Sequence, residues 1–145
     1  MIASDLKLKW DKITKGDEPV DCRSLRIPSE CYADIYISID HNGSRCLILD
    51  LPKKYQIDFN TVKKEKVSIE LLRDKNYIVL TLHDASYHDL FDILIISLYN
   101  AIKDIQEVSV YSKIFVNTFH KWAQFFDDEL VENLSKNIVQ GIFGE

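Results

Sequence analysis

The stretch Ile-Tyr-Ile-Ser-Ile-Asp-His-Asn-Gly-Ser-Arg-Cys-Leu-Ile-Leu-Asp-Leu-Pro, residues 35–52, decides the fold. Ile35, Ile37 and Ile39 alternate with Tyr36 and Ser38, so a strand here buries one face. Asn42-Gly43 supplies the residue types that tolerate the left-handed backbone of a tight hairpin turn. Arg45 to Leu51 reads as the returning strand, and Pro52, with no amide hydrogen to give a ladder, closes it. Connections this short force antiparallel neighbours, because a parallel crossover needs a dozen or more residues.

The same two-residue period extends from about residue 24 to residue 83. Tyr55 to Phe59 reads as a short strand. Val67–Leu72 and Tyr77–Leu82 read as a second hairpin around Asp74-Lys-Asn76. Before the strands, residues 4–15 predict a short helix: Ser4 can cap it, and Leu6, Trp10 and Ile13 share one face. Gly16 ends it. After His83 the period turns helical. Ser86 with Asp89 offers a cap, and Asp84 an alternative one. Leu90 to Ile102 is almost wholly apolar, so this helix must lie against the sheet on one side and later helices on the other. A further helix from Val108 to Phe126 carries Tyr111, Ile114, Phe115, Phe119, Trp122 and Phe126, and Asp127-Asp-Glu129 opens a last one. Strands first and helices afterwards make an α+β fold. The expected architecture is a short N-terminal helix, a meander-like antiparallel sheet of five or six strands, and three C-terminal helices packed on one face.

Length and composition narrow the class. A chain of 145 residues, 46% hydrophobic and 28% charged, is one globular domain rather than a disordered segment. It contains no run of eighteen uncharged apolar residues, so no membrane span is expected. Asp5 and Asp11 interrupt the N-terminus, which lacks the apolar core of a signal peptide. Cys22, Cys31 and Cys46 form no C-x-x-C pair and read as reduced thiols in a cytoplasmic protein.

The net charge of −5 is unevenly spread. Residues 1–80 hold fourteen basic and thirteen acidic side chains, and residues 81–145 hold four and ten. A surface that meets nucleic acid therefore belongs to residues 1–80. Its basic residues cluster as Lys53-Lys54, Lys63-Lys64-Glu65-Lys66 and Arg73-Asp74-Lys75, at strand ends and turns, with Tyr32, Tyr36, Tyr55 and Tyr77 in the same region. Lysines beside exposed aromatics can track a nucleic-acid backbone, and lysines at turns also keep sheet edges unpaired. Lys53, Lys54, Lys63, Lys64, Lys66, Arg73 and Lys75 are the candidate nucleic-acid contacts.

Catalytic signatures are scarce. His83 and His88 lie five apart beside Asp84 and Asp89, a spacing that does not force convergence, and His120 stands alone on the Val108–Phe126 helix. Phosphate loops, dinucleotide fingerprints, H-E-x-x-H and G-x-S-x-G are missing. The one acid-x-lysine triplet, Asp5-Leu6-Lys7, falls on the predicted first helix with no acidic strand before it. No metal site is expected from these residues.

Several features fall into one order: Arg45-Cys-Leu-Ile-Leu-Asp-Leu-Pro52, then Phe91-Asp-Ile-Leu94, Trp122, Leu134-Ser135 and Gly141-Ile-Phe-Gly-Glu145. The chain resembles the N-terminal region of the PD-(D/E)XK motif, restriction-endonuclease-like family of prokaryotic defence and restriction gene clusters. In that family a Gly-Leu-Phe-Gly-Glu-Leu-like segment opens the nuclease half, and here Ile142 stands where Leu is common. The resemblance implies that residues 1–133 form an accessory domain and that residues 134–145 start a helix into a C-terminal nuclease domain absent from this sequence. It implies Mg2+ for that parent nuclease but no cofactor here, and makes Glu145 an accessory acid of the nuclease helix. The expected role is non-catalytic: DNA binding or positioning of the nuclease. The alternative is a protein-interaction or dimerisation module docking a second copy or defence-system subunits.

Overall fold

A computed structural model describes residues 3–14, 23–26, 32–59 and 61–126, and in it the alternating stretch becomes the middle of a six-stranded antiparallel sheet. Strands β2 (Asp34–Ile39) and β3 (Arg45–Asp50) form the expected hairpin, in register from Ile39 opposite Arg45 to Asp34 opposite Asp50. Asp40 organises its turn. One carboxylate oxygen accepts from the amides of Asn42 and Ser44, each at 2.9 Å, while Gly43 takes the positive φ of 80° that its lack of a Cβ permits.

The remaining strands are β1 (Arg23–Arg26), β4 (Val62–Lys63), β5 (Val67–Leu72) and β6 (Tyr77–Leu82). Their spatial order is β1-β2-β3-β6-β5-β4. The sheet is thus two three-stranded meanders, each built from local hairpins, joined where β3 pairs with β6. Residues 55–59 do not form the short strand their alternation suggested. Tyr55, Ile57 and Phe59 still turn inward against the core, but the Tyr55 carbonyl accepts from the Asn76 side chain at 2.8 Å, where a strand neighbour would otherwise bind. The short fourth strand forms instead at Val62–Lys63.

Alternation assigns the two faces. Ile35, Ile37, Leu47, Leu49, Val67, Ile69, Ile78, Leu80 and Leu82 point into one buried core with the helices. Helix α1 (Ala3–Thr14) contributes Leu6, Trp10 and Ile13, the three residues its spacing put on one face. Helix α2 (His88–Ile102) contributes Phe91, Leu94, Ile95, Leu98 and Ile102, and α3 (Val108–Ala123) contributes Tyr111, Phe115 and Phe119. Trp122 is half-buried, and its indole N–H donates to Ser97 Oγ at 3.2 Å, tying α3 to α2.

Asp84, rather than Ser86, provides the cap before α2. Its carboxylate accepts from Ser86 N and Oγ and opens a 3-10 turn, Ala85–Tyr87, that runs into the helix without a side-chain cap of its own. The fold is α+β. After the sheet the described residues hold two α-helices, not three, followed by a 3-10 turn at Gln124–Phe126. The helix expected from Asp127 lies outside the described residues.

The opposite face of the sheet is built from smaller and more polar residues. Ser38, Cys46, Thr81 and Ser68 are successive cross-strand partners in one row, and all four are buried. Cys46 also packs with Ile48, Val79, Tyr36 and Tyr77 in a minor cluster.

Leu80 is fully buried and faces Leu47 across the β3–β6 pair. Leu80→Ala is expected to lower unfolding free energy by about 2–5 kcal/mol, since a cavity opens at the junction of the two meanders. Urea unfolding followed by tryptophan fluorescence reads this directly.

Candidate functional site

The seven candidate basic residues do not converge on one patch. Strand β5 runs between two groups, and its six residues at about 3.3 Å each separate them by roughly 20 Å. Lys63, Lys64 and Lys66 lie before it; Arg73 and Lys75 lie after it, beside Lys53 and Lys54 from the β3–β4 connection.

The second group is organised by Asn76. This residue takes a left-handed φ of 58°, a conformation that asparagine tolerates better than most side chains. Its amide Nδ2 donates to the carbonyls of Pro52 at 2.7 Å and Tyr55 at 2.8 Å, and its own carbonyl accepts from Leu51 N at 3.0 Å. Lys53 Nζ donates to the Lys75 carbonyl at 3.0 Å and lies 5.9 Å from the Tyr77 ring centroid. Residues 52–59 therefore form a strap bound to the β5–β6 turn. Lys53, Lys54, Arg73 and Lys75 are exposed along this end, with Arg73 paired to Asp58 at 3.0 Å.

At the other end Lys63 is exposed and Lys64 partly so, but Lys66 is engaged internally. Its ammonium lies 3.0 Å from Asp84, 3.5 Å from Glu65 and 5.8 Å from the Tyr87 ring centroid. Hydrogen bonds from Ser86 and Lys66 hold the Asp84 carboxyl down at about 2. Lys66 belongs to the strand-to-helix junction. Glu145 lies outside the described residues.

The histidines separate as well. His83 is exposed, and its Nε2 lies 2.9 Å from the buried Ser68 Oγ. His88 sits at the start of α2, where burial and the Arg45 cation push its pKa down. His120 is exposed, edge-on to Phe119. Asp5 and Lys7 are exposed on α1 with the buried Leu6 between them, so that triplet points to no common site.

Two juxtapositions escaped the sequence reading. The first is Asp34 opposite Asp50, on neighbouring strands of one face. Burial, followed by the Asp34 charge, raises the Asp50 pKa, and Lys53 partly offsets this. The register is set by a three-residue loop, His41-Asn42-Gly43, closed between Asp40 and Ser44. A two-residue Asn42-Gly43 turn would set Asp50 opposite Ile35 instead, so the turn residues alone do not give this pairing. The second joins three elements. Asp92 on α2 is buried and accepts from the Trp10 indole N–H at 2.8 Å, and the Arg45 guanidinium lies 4.7 Å over the Trp10 ring. Burial raises the Asp92 pKa and lowers that of Arg45. Only the apolar setting of Asp92 in the sequence, among Phe91, Ile93 and Leu94, hinted at it.

Beside the strap lies a half-open groove of about 360 Å3, bounded by residues 55–59 and by Lys113, Val116 and Asn117 of α3. The Tyr55 hydroxyl accepts from Ser112 Oγ at 3.3 Å, which ties strap to helix. Among the described residues no three histidine, cysteine, aspartate or glutamate side chains converge as a metal site, and no helix is long and apolar enough to cross a membrane.

The model of a family described as "Putative PD-(D/E)XK family member (DUF4420)" matches residues 6–145, and the chain belongs to that family. Neither curated proteins nor solved structures gave a match.

The Asp92 carboxyl gives a pH-resolved test of the Trp10 corner. Because its folded pKa is raised, ionisation weakens the fold: the penalty is absent at low pH and grows as pH rises through that folded pKa. Asp92→Asn keeps an acceptor for Trp10 and is expected to gain stability over the parent chain as pH rises toward neutrality. Asp92→Ala removes the acceptor that the indole N–H meets at 2.8 Å and should lose about 1–3 kcal/mol. Denaturation midpoints across pH 4 to 7 for the three proteins check both.

Proposed function

Taking membership of the PD-(D/E)XK family as the premise, we propose that this chain is a non-catalytic N-terminal domain of a restriction-endonuclease-like defence protein. It engages duplex DNA and positions the nuclease on it. The observation that carries the reading is the clamp between the strap and the β5–β6 turn, which holds Lys53, Lys54 and Lys75 of separate loops at one end of the sheet. Cations on preordered loops neutralise phosphates without a further entropy loss to order those loops. Lys63 and Lys64, roughly 20 Å away along β5, would meet the backbone about six base pairs further on, at 3.4 Å per step.

Nuclease chemistry of this family's kind calls for two carboxylates and a lysine around a divalent ion. Asp34, Asp50 and Lys53 have that composition but do not fit the task. Two residues rather than one separate Asp50 from Lys53, Pro52 interrupts the strand between them, and the ammonium is bonded to the Lys75 carbonyl. In this reading Mg2+ and the catalytic residues belong to a nuclease part of the parent protein.

A second reading, a protein-interaction or dimerisation module, has one observation in its favour: Leu8 on α1 and Ile93 on α2 are 63% and 48% exposed on the helical layer. Sedimentation at rising concentration tests it. A strict monomer counts against self-association, and a dimer abolished by Ile93→Lys supports it.

For the DNA reading, fluorescence anisotropy with a labelled duplex is expected to show binding that weakens steeply with salt. Lys53→Glu, Lys54→Glu and Lys75→Glu combined should weaken it at least tenfold and reduce the salt slope by about 0.9 for each phosphate no longer neutralised. Lys66→Glu should lower thermal stability and leave the slope unchanged. Undetectable binding at low salt, or indifference to the triple reversal, removes the DNA role.

A further inference from the structure

The strap has two sides. One carries the lysines clamped to the β5–β6 turn; the other walls the groove against α3. We propose that this groove receives a single nucleobase, carried by a free nucleotide or turned out of a DNA strand. The second source rests on the proposed DNA engagement, and the first does not.

Size is the first reason. About 360 Å3 falls at the lower end of the roughly 300–1,000 Å3 range of small-molecule sites, enough for a nucleotide and too little for a peptide helix. The walls are the second. Phe59 and Ile57 are half-buried and line the groove with Val116, so apolar side chains form part of its wall while they also pack on the core. A base presents a π-face to such a wall, and stacking tolerates any base.

The polar rim is the third. Gln56 and Asn117 are both exposed, and each carboxamide offers a donor and an acceptor together, the pairing that a base edge presents in return. Lys113, one turn before Asn117 on α3, supplies a cation at the same rim for a phosphate. The groove is also held open. Asn76 fixes the Tyr55 carbonyl and Arg73 holds Asp58, both from the β5–β6 turn, while Ser112 of α3 donates to the Tyr55 hydroxyl, so the strap is bonded to two separate elements. A binding wall fixed in advance loses less entropy when occupied. The strap continues directly from Lys53 and Lys54 into the groove wall at residues 55–59, so the two features sit on one continuous segment.

The test has two arms on the same protein. In the first, 15N-labelled chain is titrated with each of the four deoxynucleoside monophosphates. Saturable shifts are expected to concentrate in residues 55–59 and 113–117, and Asn117→Ala, at an exposed site where the fold tolerates it, should weaken the affinity at least tenfold. In the second, a duplex containing one unpaired 2-aminopurine is compared with its fully paired counterpart. The unpaired duplex is expected to bind at least tenfold tighter, with a fluorescence change, and Asn117→Ala should abolish the difference while paired-duplex affinity stays unchanged. Nucleotide shifts without a preference for the unpaired duplex assign the groove to free nucleotides. Nucleotide shifts in the groove with no duplex binding at all sink the DNA reading and leave this one standing. No saturable shift and no preference for the unpaired base, or responses indifferent to Asn117→Ala, overturn the proposal.

Discussion

The pairing of β3 with β6 is the constraint on which the rest of the structure depends. Every other strand contact joins neighbours along the chain, but this one brings together residues some thirty apart, Cys46 opposite Thr81 and Asp50 opposite Tyr77. Without it there are two separate meanders, each too small to bury its apolar face. With it Leu47, Leu49, Ile78 and Leu80 form a continuous floor on which α2 and α3 can lie. The loop-closure entropy of that pairing is offset only through the burial it makes possible, so sheet and helical layer should form cooperatively.

The same pairing explains the strap. Once β6 occupies the edge of β3, the chain leaving Leu51 cannot stay in the sheet beside it and must cross to the far edge, where β4 forms. Its carbonyls then need partners outside a ladder, and Asn76 provides two of them from the turn opposite. What looks like an irregular connection is therefore a hydrogen-bonded element. Its alternating apolar residues serve the core and its remaining surface is left to face solvent, which is how a connection comes to carry both a cationic edge and a groove wall.

Period was the readable quantity in this sequence, and pairing was not. The alternation of Ile35, Ile37 and Ile39, the Asn-Gly turn, the Leu6-Trp10-Ile13 face and the aromatic stripe of α3 each report a local geometry, and each forms as read. Tyr55–Phe59 alternates just as well and makes no strand, because alternation records which side chains turn inward and says nothing of where backbone hydrogen bonds go. The order of strands depends on the β3–β6 contact, which leaves no local trace. The sequence shows where the basic residues lie along the chain but not how they share a surface. Their division between two ends of β5, and the internal engagement of Lys66 by the distant Asp84, follow from strand direction and from a partner on the far side of β6. The Trp10–Asp92–Arg45 corner, contributed by three distant elements, was beyond periodicity altogether.

Charge asymmetry looked like the broadest functional signal, and the structure narrows what it can do. Of the six excess negative charges in residues 81–145, residues 81–126 account for two, five acidic against three basic, and residues 127–145 for the other four. The described helical layer thus carries only a weak repulsive field, and at physiological salt a field of that size fades within about 8 Å. It cannot by itself turn the domain to face a polyanion. Whatever discrimination the proposed DNA surface has must come from short-range placement: lysines on loops fixed by Asn76, and a groove whose wall is bonded before any ligand arrives. In the proposed DNA reading, net charge sets how often an encounter happens and the clamp decides whether it is held.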